Sequence, residues 1–236
     1  MAVKKNPFIN AEPMLEKPVG NKQPRKCILI ICEGENTEVD YFKQFRLANV
    51  TVMPYGIRMS TTKLIKEVEK KRKEVEKRKK IKFDEIWVVF DKDENTDFEE
   101  AIRLAKSMNY KVAYSNQAFE YWFVLHFQDH QGGAMHRNAY AAIINENLQK
   151  QKREVCYDAK SKHVSKDMFE IMLASLQVAY DRACRLYALK RKHNQETQES
   201  VTTVQHLVKS ITGMKTTEEK RKEEQKQKTM QKTKTI

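Results

Sequence analysis

The apolar residues of the chain include two uninterrupted runs, at residues 28–31 and 86–90. Apolar runs without alternating polar positions are typical of strands that are buried on both faces, as in a parallel sheet covered by helices. Each run is followed closely by an acidic turn, at residues 33–35 and 91–94 respectively. The pattern therefore predicts two parallel strands with carboxylates at their C-terminal ends, where sheets of this type place their ligands.

Other segments complete a predicted α/β fold. Strands are predicted at residues 110–114, which alternate, and at 51–58, where Pro54 and Gly56 weaken the pattern. Apolar residues at helical spacing predict helices at residues 38–47, 62–80, 98–108, 117–127, 137–148, 167–191 and 200–213. This order predicts a mainly parallel, Rossmann-like sheet flanked by helices, with a C-terminal helical annex.

Helix starts and changes in composition divide the chain further. Polar residues are predicted to cap four of the helices: Thr96 with Glu99 as a capping box, the pair Ser115-Asn116, Ser165 and Ser200. Composition predicts four parts: an extended, proline-rich arm at 1–25, an α/β core at 26–130, a helical part packed on it at 131–213, and a basic tail at 214–236. The tail has almost no apolar residues, which favours a disordered or solvated segment.

The charge of the chain indicates the kind of partner that it binds. The formal net charge is +13 and 33 % of the residues are charged, which favours a polyanion such as nucleic acid, although solubilising surface lysines explain part of the excess. No apolar run approaches the roughly 20 residues that span a bilayer. The four cysteines form no C-x-x-C pair, so we expect reduced thiols in a cytoplasmic protein without a membrane partner. No pattern indicates an oligomeric state.

The acidic turns predict a metal site. If both strands belong to one parallel sheet, Glu33, Asp91 and Asp93 converge at one edge, and their mutual repulsion calls for a divalent cation, Mg²⁺ or Mn²⁺. The alternatives are that Glu33 is a turn carboxylate and that the two aspartates only favour the N-terminus of the next helix. Glu35 and Glu38 are interpreted as structural, Glu38 through the N-terminus of its own helix.

Further candidates are less distinctive. Glu120 begins the predicted helix at 117–127, where it is either a member of the carboxylate cluster or an ordinary first-turn acid. His126 shares the aromatic face of that helix and is interpreted as a core histidine rather than a ligand. The basic residues are candidates for phosphate contacts, with surface charge as the alternative: Lys92, Arg137, Lys160 and Lys162.

With these residues in view, the chain resembles the RloB family of bacterial defence-associated proteins. The matching blocks are at residues 32–42, 89–93, 115–127 and 200–204, in that order. Any one block alone is a weak signal, whereas the three long blocks in sequence are fairly specific. The resemblance covers most of the chain, from about residue 28 to 212. It implies a Toprim-like nuclease domain, related to the nucleases of OLD-type defence systems.

The resemblance also implies roles for particular residues. A Toprim domain has a Glu after its first strand and Asp-x-Asp after a later one, which match Glu33, Asp91 and Asp93. Glu120 falls in the Phe-Glu-x-Trp block of the family. These matches imply divalent-metal-dependent phosphodiester chemistry, without choosing among primases, topoisomerases and nucleases. The resemblance also implies an ATPase partner, and the chain shows no Gly-x-x-x-x-Gly-Lys-Ser/Thr loop that would supply this activity itself.

Three functions remain in competition at this point. The first is a metal-dependent nuclease acting on DNA or RNA in antiphage defence of the abortive-infection type. The second is a non-catalytic nucleic-acid-binding or sensor module that keeps a Toprim-like fold. The third is a metal-dependent enzyme for another phosphate substrate, such as a nucleotide. The carboxylate set favours the first over the second, and the basic composition favours a polymer over a small nucleotide.

Overall fold

The computed structural model describes residues 25–59, 61–198 and 200–234. The predicted arm at 1–25 lies outside these residues except for its last position. A four-stranded sheet organises the described chain, with strands β1 (Lys26–Cys32), β2 (Val50–Gly56), β3 (Glu85–Asp91) and β4 (Lys111–Ser115). All neighbouring strands are parallel, in the order β2-β1-β3-β4. The predicted Rossmann-like α/β fold is therefore confirmed.

Helices cover both faces of the sheet. The helices are α1 (Thr37–Lys43), α2 (Thr61–Lys79), α3 (Phe98–Ser107), α4 (Glu120–Phe127), α5 (Tyr140–Gln151), α6 (Lys166–Ala174), α7 (Leu176–Lys192), α8 (Val204–Thr212) and α9 (Thr217–Lys234). A 3₁₀ turn, Arg137–Ala139, precedes α5. Within residues 25–59, 61–198 and 200–234, none of the helices combines the length and apolar content needed to cross a bilayer.

The central strands explain why the apolar runs are uninterrupted. In β1, Ile28 and Ile30 pack into a large core with α1 and α4 to α8, whereas Leu29 and Ile31 pack against α2 and α3. Because successive side chains of a strand point to opposite faces, a strand with a core on each side needs apolar residues at every position. Helices α5 to α8 thus share the larger core with the sheet.

Strand β2 carries the two residues that weakened its prediction. Pro54 is tolerated because β2 is an edge strand, paired only with β1 among the described strands. Gly56 ends β2 where the acidic turn after β1 crosses it. A Cβ atom at Gly56 would lie 2.5 Å from both the Gly34 carbonyl oxygen and the Glu35 Cα. A side chain there would push the acidic turn away from the sheet.

Several predicted helix starts are wrong, because the polar side chains have other partners. Asp97 precedes α3, and its carboxylate accepts hydrogen bonds from the Thr61 and Thr62 hydroxyls (2.5 and 2.6 Å), so it caps α2 and no Thr96 capping box forms. Residues 200–203 run beside β4 instead of starting a helix, with Thr203 N–H donating to the Tyr114 carbonyl (2.7 Å). Helix α8 therefore begins at Val204, after Ser200.

Three further boundaries differ from the predictions. Helix α1 ends at Lys43, and α4 begins at Glu120, beyond the Ser115-Asn116 pair. Ser165 caps α6 as predicted, accepting from Met168 N–H (3.2 Å). The segment predicted as one helix at 167–191 is divided at Ser175, which lies between the end of α6 and the start of α7 at Leu176.

The basic tail is helical, whereas disorder was one expectation. Its side chains at residues 218–228 and 230 are exposed, as the alternative of a solvated segment requires. A capping box begins α9: Thr216 N–H donates to Glu219 (2.7 Å), and Glu219 N–H donates to the Thr216 hydroxyl (3.1 Å). An ion pair between Lys222 and Glu218 (2.5 Å) adds the i,i+4 contact that supports exposed helices. Local capping and charge pairing therefore replace the missing apolar face.

Candidate active site

The parallel pairing of β1 and β3 brings the two acidic turns together. Cys32 of β1 is in register with Val89 of β3, and Glu33 N–H extends the pairing by donating to the Val89 carbonyl (2.9 Å). The Glu33 carboxylate accepts a hydrogen bond from Asp91 N–H (3.3 Å). Residues 58 positions apart in the sequence therefore meet at the C-terminal edge of the sheet, as the sequence predicted.

Helix α4 adds its N-terminus to the same edge. The Asp91 carboxylate accepts from Phe119 N–H (3.2 Å), which places Glu120, the next residue, beside Asp91. The Glu120 carboxylate accepts a hydrogen bond of 2.5 Å from the Tyr157 hydroxyl, which also lies 3.1 Å from the Thr37 hydroxyl. Glu120 is buried, so it belongs to the cluster and is not a solvated first-turn acid.

The carboxylates surround one cavity of about 320 Å³. The four predicted acidic residues all line it: Glu33, Asp91, Asp93 and Glu120. Asp93 reaches the cavity through a left-handed turn (φ 39°) that Asp93 N–H stabilises by donating to the Asn116 carbonyl (2.9 Å). Its carboxylate forms an ion pair of 2.6 Å with Arg137.

Glu38 also lines the cavity, as does Glu35, although neither was among the four acidic residues predicted for the site. Its carboxylate lies over Gly34, where an added Cβ would stand 2.5 Å from one carboxylate oxygen. Burial raises the pKa of Glu38 to about 7, and repulsion from Glu120 and Glu33 adds to the effect. The sequence signal that could have identified Glu38 is its position five residues after Glu33, in the first turn of the helix that follows the acidic turn.

The carboxylates of the cavity oppose one another's ionisation. Burial raises the pKa of Asp91 well above its ordinary value, and repulsion from Glu38 and Glu120 raises it further. Burial also raises the pKa of Glu33, with the hydrogen bond from Asp91 N–H acting in the opposite direction. Carboxylates that oppose one another's ionisation in a partly buried cavity favour either shared protons or a cation between them.

The donor set suits a hard divalent cation, but the described side chains do not form a complete ligand cage. Among residues 25–59, 61–198 and 200–234, no three His, Cys, Asp or Glu side chains are grouped closely enough to hold one ion. Asp93 is engaged by Arg137, so the predicted triad with Glu33 and Asp91 is not assembled. Mg²⁺ needs only one or two protein carboxylates, because it retains waters and binds substrate phosphates. Glu33 and Asp91, with Glu120 or Glu38 beside them, meet that requirement.

Two of the four predicted phosphate contacts lie at the cavity. Arg137 and Lys162 line it, together with Arg58, which pairs with Glu35 (2.6 Å). The other two predicted residues are placed elsewhere. The Lys92 amine donates to the Thr197 carbonyl (2.6 Å), and Lys160 is absent from the lining of this cavity.

The loop that carries Lys162 is fixed to the start of α1. The Thr37 hydroxyl donates to the Lys162 carbonyl (3.0 Å), and the Asn36 side chain donates to the Ser161 carbonyl (2.8 Å).

His126 is buried next to the Met172 carbonyl (2.8 Å), and burial lowers its pKa to about 3. It is a core histidine and lies outside the lining of the carboxylate cavity.

Fold and site together define an α/β protein with an acidic cavity at the C-terminal edge of a parallel sheet. The family model described as RloB-like protein matches residues 28–211, and the chain belongs to that family. Comparison with curated proteins gave no match, and neither did comparison with solved structures.

Proposed function

We propose that the chain is a divalent-metal-dependent nuclease that hydrolyses phosphodiester bonds in DNA or RNA. One observation carries the proposal: Glu33 and Asp91, at the ends of adjacent parallel strands, meet Glu120 around one cavity, where burial and their mutual repulsion raise the pKa of Asp91. The net charge of +13 supports a polyanionic substrate. The Toprim-like pattern implied by the family resemblance supports the same chemistry.

The chain's own residues have separable tasks in this proposal. Glu33 and Asp91 would hold Mg²⁺ or Mn²⁺, and backbone N–H groups hydrogen-bond their carboxylates at the cavity. A bound ion would supply Lewis acidity at a phosphodiester oxygen and would lower the pKa of a water. Glu120 is placed to accept a proton from an attacking water, and the Tyr157 hydroxyl orients the Glu120 carboxylate. Arg137 and Lys162 contact the phosphates on either side.

The cellular role is also part of the proposal. The family resemblance supports a cytoplasmic nuclease in antiphage defence, of the abortive-infection type, that works with an ATPase partner. The chain has no phosphate-binding loop with which to bind ATP in the way P-loop proteins do. A separate ATPase subunit would then control when the nuclease acts.

A second candidate is a nucleic-acid-binding sensor without catalysis. The ion pair between Arg137 and Asp93 favours it, because that contact neutralises a predicted metal ligand. The lack of three grouped ligands within the described residues points the same way. A sensor would bind nucleic acid through Arg137 and Lys162 in a salt-dependent manner and leave it intact.

Glu33→Gln is expected to reduce cleavage at least about 100-fold, because a neutral amide is a poor ligand for a hard cation. The measurement uses purified protein with plasmid, single-stranded DNA and transfer RNA, in Mg²⁺, Mn²⁺ or EDTA. Glu35→Gln is the matched control: Glu35 lines the same cavity, but its carboxylate pairs with Arg58. Equal loss in both variants, or salt-sensitive binding without cleavage by the native chain, would contradict the proposal.

A further inference from the structure

A second cavity lies beside the carboxylate cavity. Glu120, Arg137 and Lys162 line both, so a group in one cavity adjoins whatever occupies the other. The second cavity has a volume of about 350 Å³. A water molecule in the liquid takes about 30 Å³, and pockets for small organic ligands begin near 300 Å³. The space therefore suits an organic ring better than a few ordered waters.

The walls of the second cavity are mainly apolar. Ala118, Ala141 and Ala159 come from three different segments, and each contributes a single methyl group, which leaves the space open. Tyr140 and Tyr157 complete the apolar lining. Both tyrosines are almost fully buried, at 2 % exposure each, so they act as fixed walls rather than mobile surface side chains.

The tyrosine hydroxyls are engaged away from any ligand. The Tyr140 hydroxyl donates to the Met135 carbonyl (3.1 Å), and that of Tyr157 donates to Glu120 (2.5 Å). The two tyrosines therefore present the carbon atoms of their rings to the cavity. Asn145 fixes the Tyr157 backbone by accepting from its N–H (2.6 Å) and donating to its carbonyl (2.9 Å). A wall held in this way needs no ordering when a ligand binds, which favours affinity.

The polar residues of the lining are Glu120, Arg137, Asn138 and Lys162. Arg137 and Lys162 stand on the side shared with the carboxylate cavity, and the exposed Asn138 follows Arg137 in the 3₁₀ turn. Two cations suit the phosphates of a strand, whereas an amide offers the donor and acceptor that base edges require. A ligand that fits has an apolar ring with hydrogen-bonding edges and an anionic group on one side.

We propose that the second cavity seats a nucleobase of the bound strand, next to the phosphodiester that the carboxylate cavity cleaves. The inference rests on the proposed function, since it names the part of a nucleic-acid substrate that lies beside the reacting group. Arg137 and Lys162 then contact the phosphate that connects the two cavities. A base held against apolar walls positions the strand without reading its whole sequence.

The test measures binding and needs no cleavage. Affinities are measured by calorimetry for adenosine, cytidine, guanosine and uridine 5′-monophosphates, with ribose 5-phosphate as the reference that lacks a base. The native chain is expected to bind at least one nucleotide about tenfold more tightly than ribose 5-phosphate. Ala141→Phe, which fills the cavity, is expected to remove that difference while leaving ribose 5-phosphate affinity unchanged.

Ala142→Phe is the matched control, because it makes the same change one position along α5 at an exposed residue. It should keep the tenfold difference. Ala159→Phe fills the cavity from an exposed loop position and serves as a second variant if α5 does not accept the ring. Equal affinities for nucleotides and ribose 5-phosphate in the native chain, or a difference that survives both filling variants, would overturn the proposal. Cleavage of phosphodiesters without base-dependent binding would refute this inference alone, and base-dependent binding without cleavage would refute the nuclease alone.

Discussion

Asp91→Asn is expected to abolish metal-dependent cleavage and, at the same time, to stabilise the ion-free protein. The Asp91 carboxylate lies among Glu38, Glu120 and Glu33. Burial is the largest cause of its raised pKa, and repulsion from these three carboxylates raises the pKa further. Asparagine keeps the shape and an oxygen that can accept from Phe119 N–H, but removes the charge that the neighbours oppose. We expect cleavage to fall at least about 100-fold and the free energy of unfolding in EDTA to rise by about 1–2 kcal/mol.

Asp84→Asn provides the control at the other end of the same strand. Asp84 precedes β3, is exposed, and accepts from Cys27 N–H (2.7 Å). Its substitution should leave cleavage unchanged and should not raise stability. Chemical denaturation in EDTA and a cleavage assay in Mn²⁺ measure the two effects on the same preparations. If Asp91→Asn lowered stability, or retained native cleavage, the buried-charge description of this residue would be wrong.

The ion-free protein is expected to lose stability as the pH rises from about 4.5 to about 7. The cause is Glu38, whose pKa is raised by burial from 4.5 to about 7. Between these values the folded protein binds a proton that the unfolded chain has released, so deprotonation costs stability, up to about 1.4 kcal/mol per pH unit for each such group. The full loss of stability is reached above the pKa of Glu38 in the folded protein, about 7.

Divalent cations should reverse this loss. At pH 7.5, millimolar Mg²⁺ or Mn²⁺ is expected to restore the stability lost since pH 4.5, whereas KCl of equal ionic strength is not. Glu38→Gln should flatten the pH dependence. Glu85 affects stability in a different pH range. Its burial raises its pKa, but hydrogen bonds from Lys111 and Lys26 lower the pKa to about 2, so the stability that the Glu85 carboxylate contributes is lost only below pH 4.5. Stability that rises steadily from pH 4.5 to 7 in EDTA would contradict the prediction.

The sequence identified the parts of the site that depend on the sheet. Two apolar runs predicted two buried parallel strands, and parallel pairing alone is enough to bring Glu33 to Asp91. Glu120 was one candidate, at the beginning of the helix predicted after residues 110–114, and the sequence left open whether it joins the cluster or is an ordinary first-turn acid. These inferences succeed because side-chain period and strand direction are local properties that determine where strand ends meet.

The parts that escaped prediction depend on contacts between distant segments. The pairing of Arg137 with Asp93 spans 44 residues, and Tyr157 reaches Glu120 from a loop with no regular pattern. No local signal reports such contacts. The predicted capping box at Thr96 does not form for a related reason, since Asp97 precedes α3 but accepts a hydrogen bond from the start of α2. In α9 a local Thr-x-x-Glu pattern at residues 216–219 starts the helix, whereas the prediction of a disordered or solvated tail rested on the lack of apolar residues alone.

The central claim is that Glu33 and Asp91, the carboxylates at the C-terminal ends of β1 and β3, jointly hold a divalent cation beside Glu120. Electron paramagnetic resonance of free Mn²⁺, titrated with protein at pH 7.5, measures that binding directly. The account predicts binding by the native chain and by Glu35→Gln, and at least about tenfold weaker binding by Glu33→Gln and by Asp91→Asn. Native Mn²⁺ affinity in both of the last two variants, or no Mn²⁺ bound by the native chain at millimolar concentration, would contradict it.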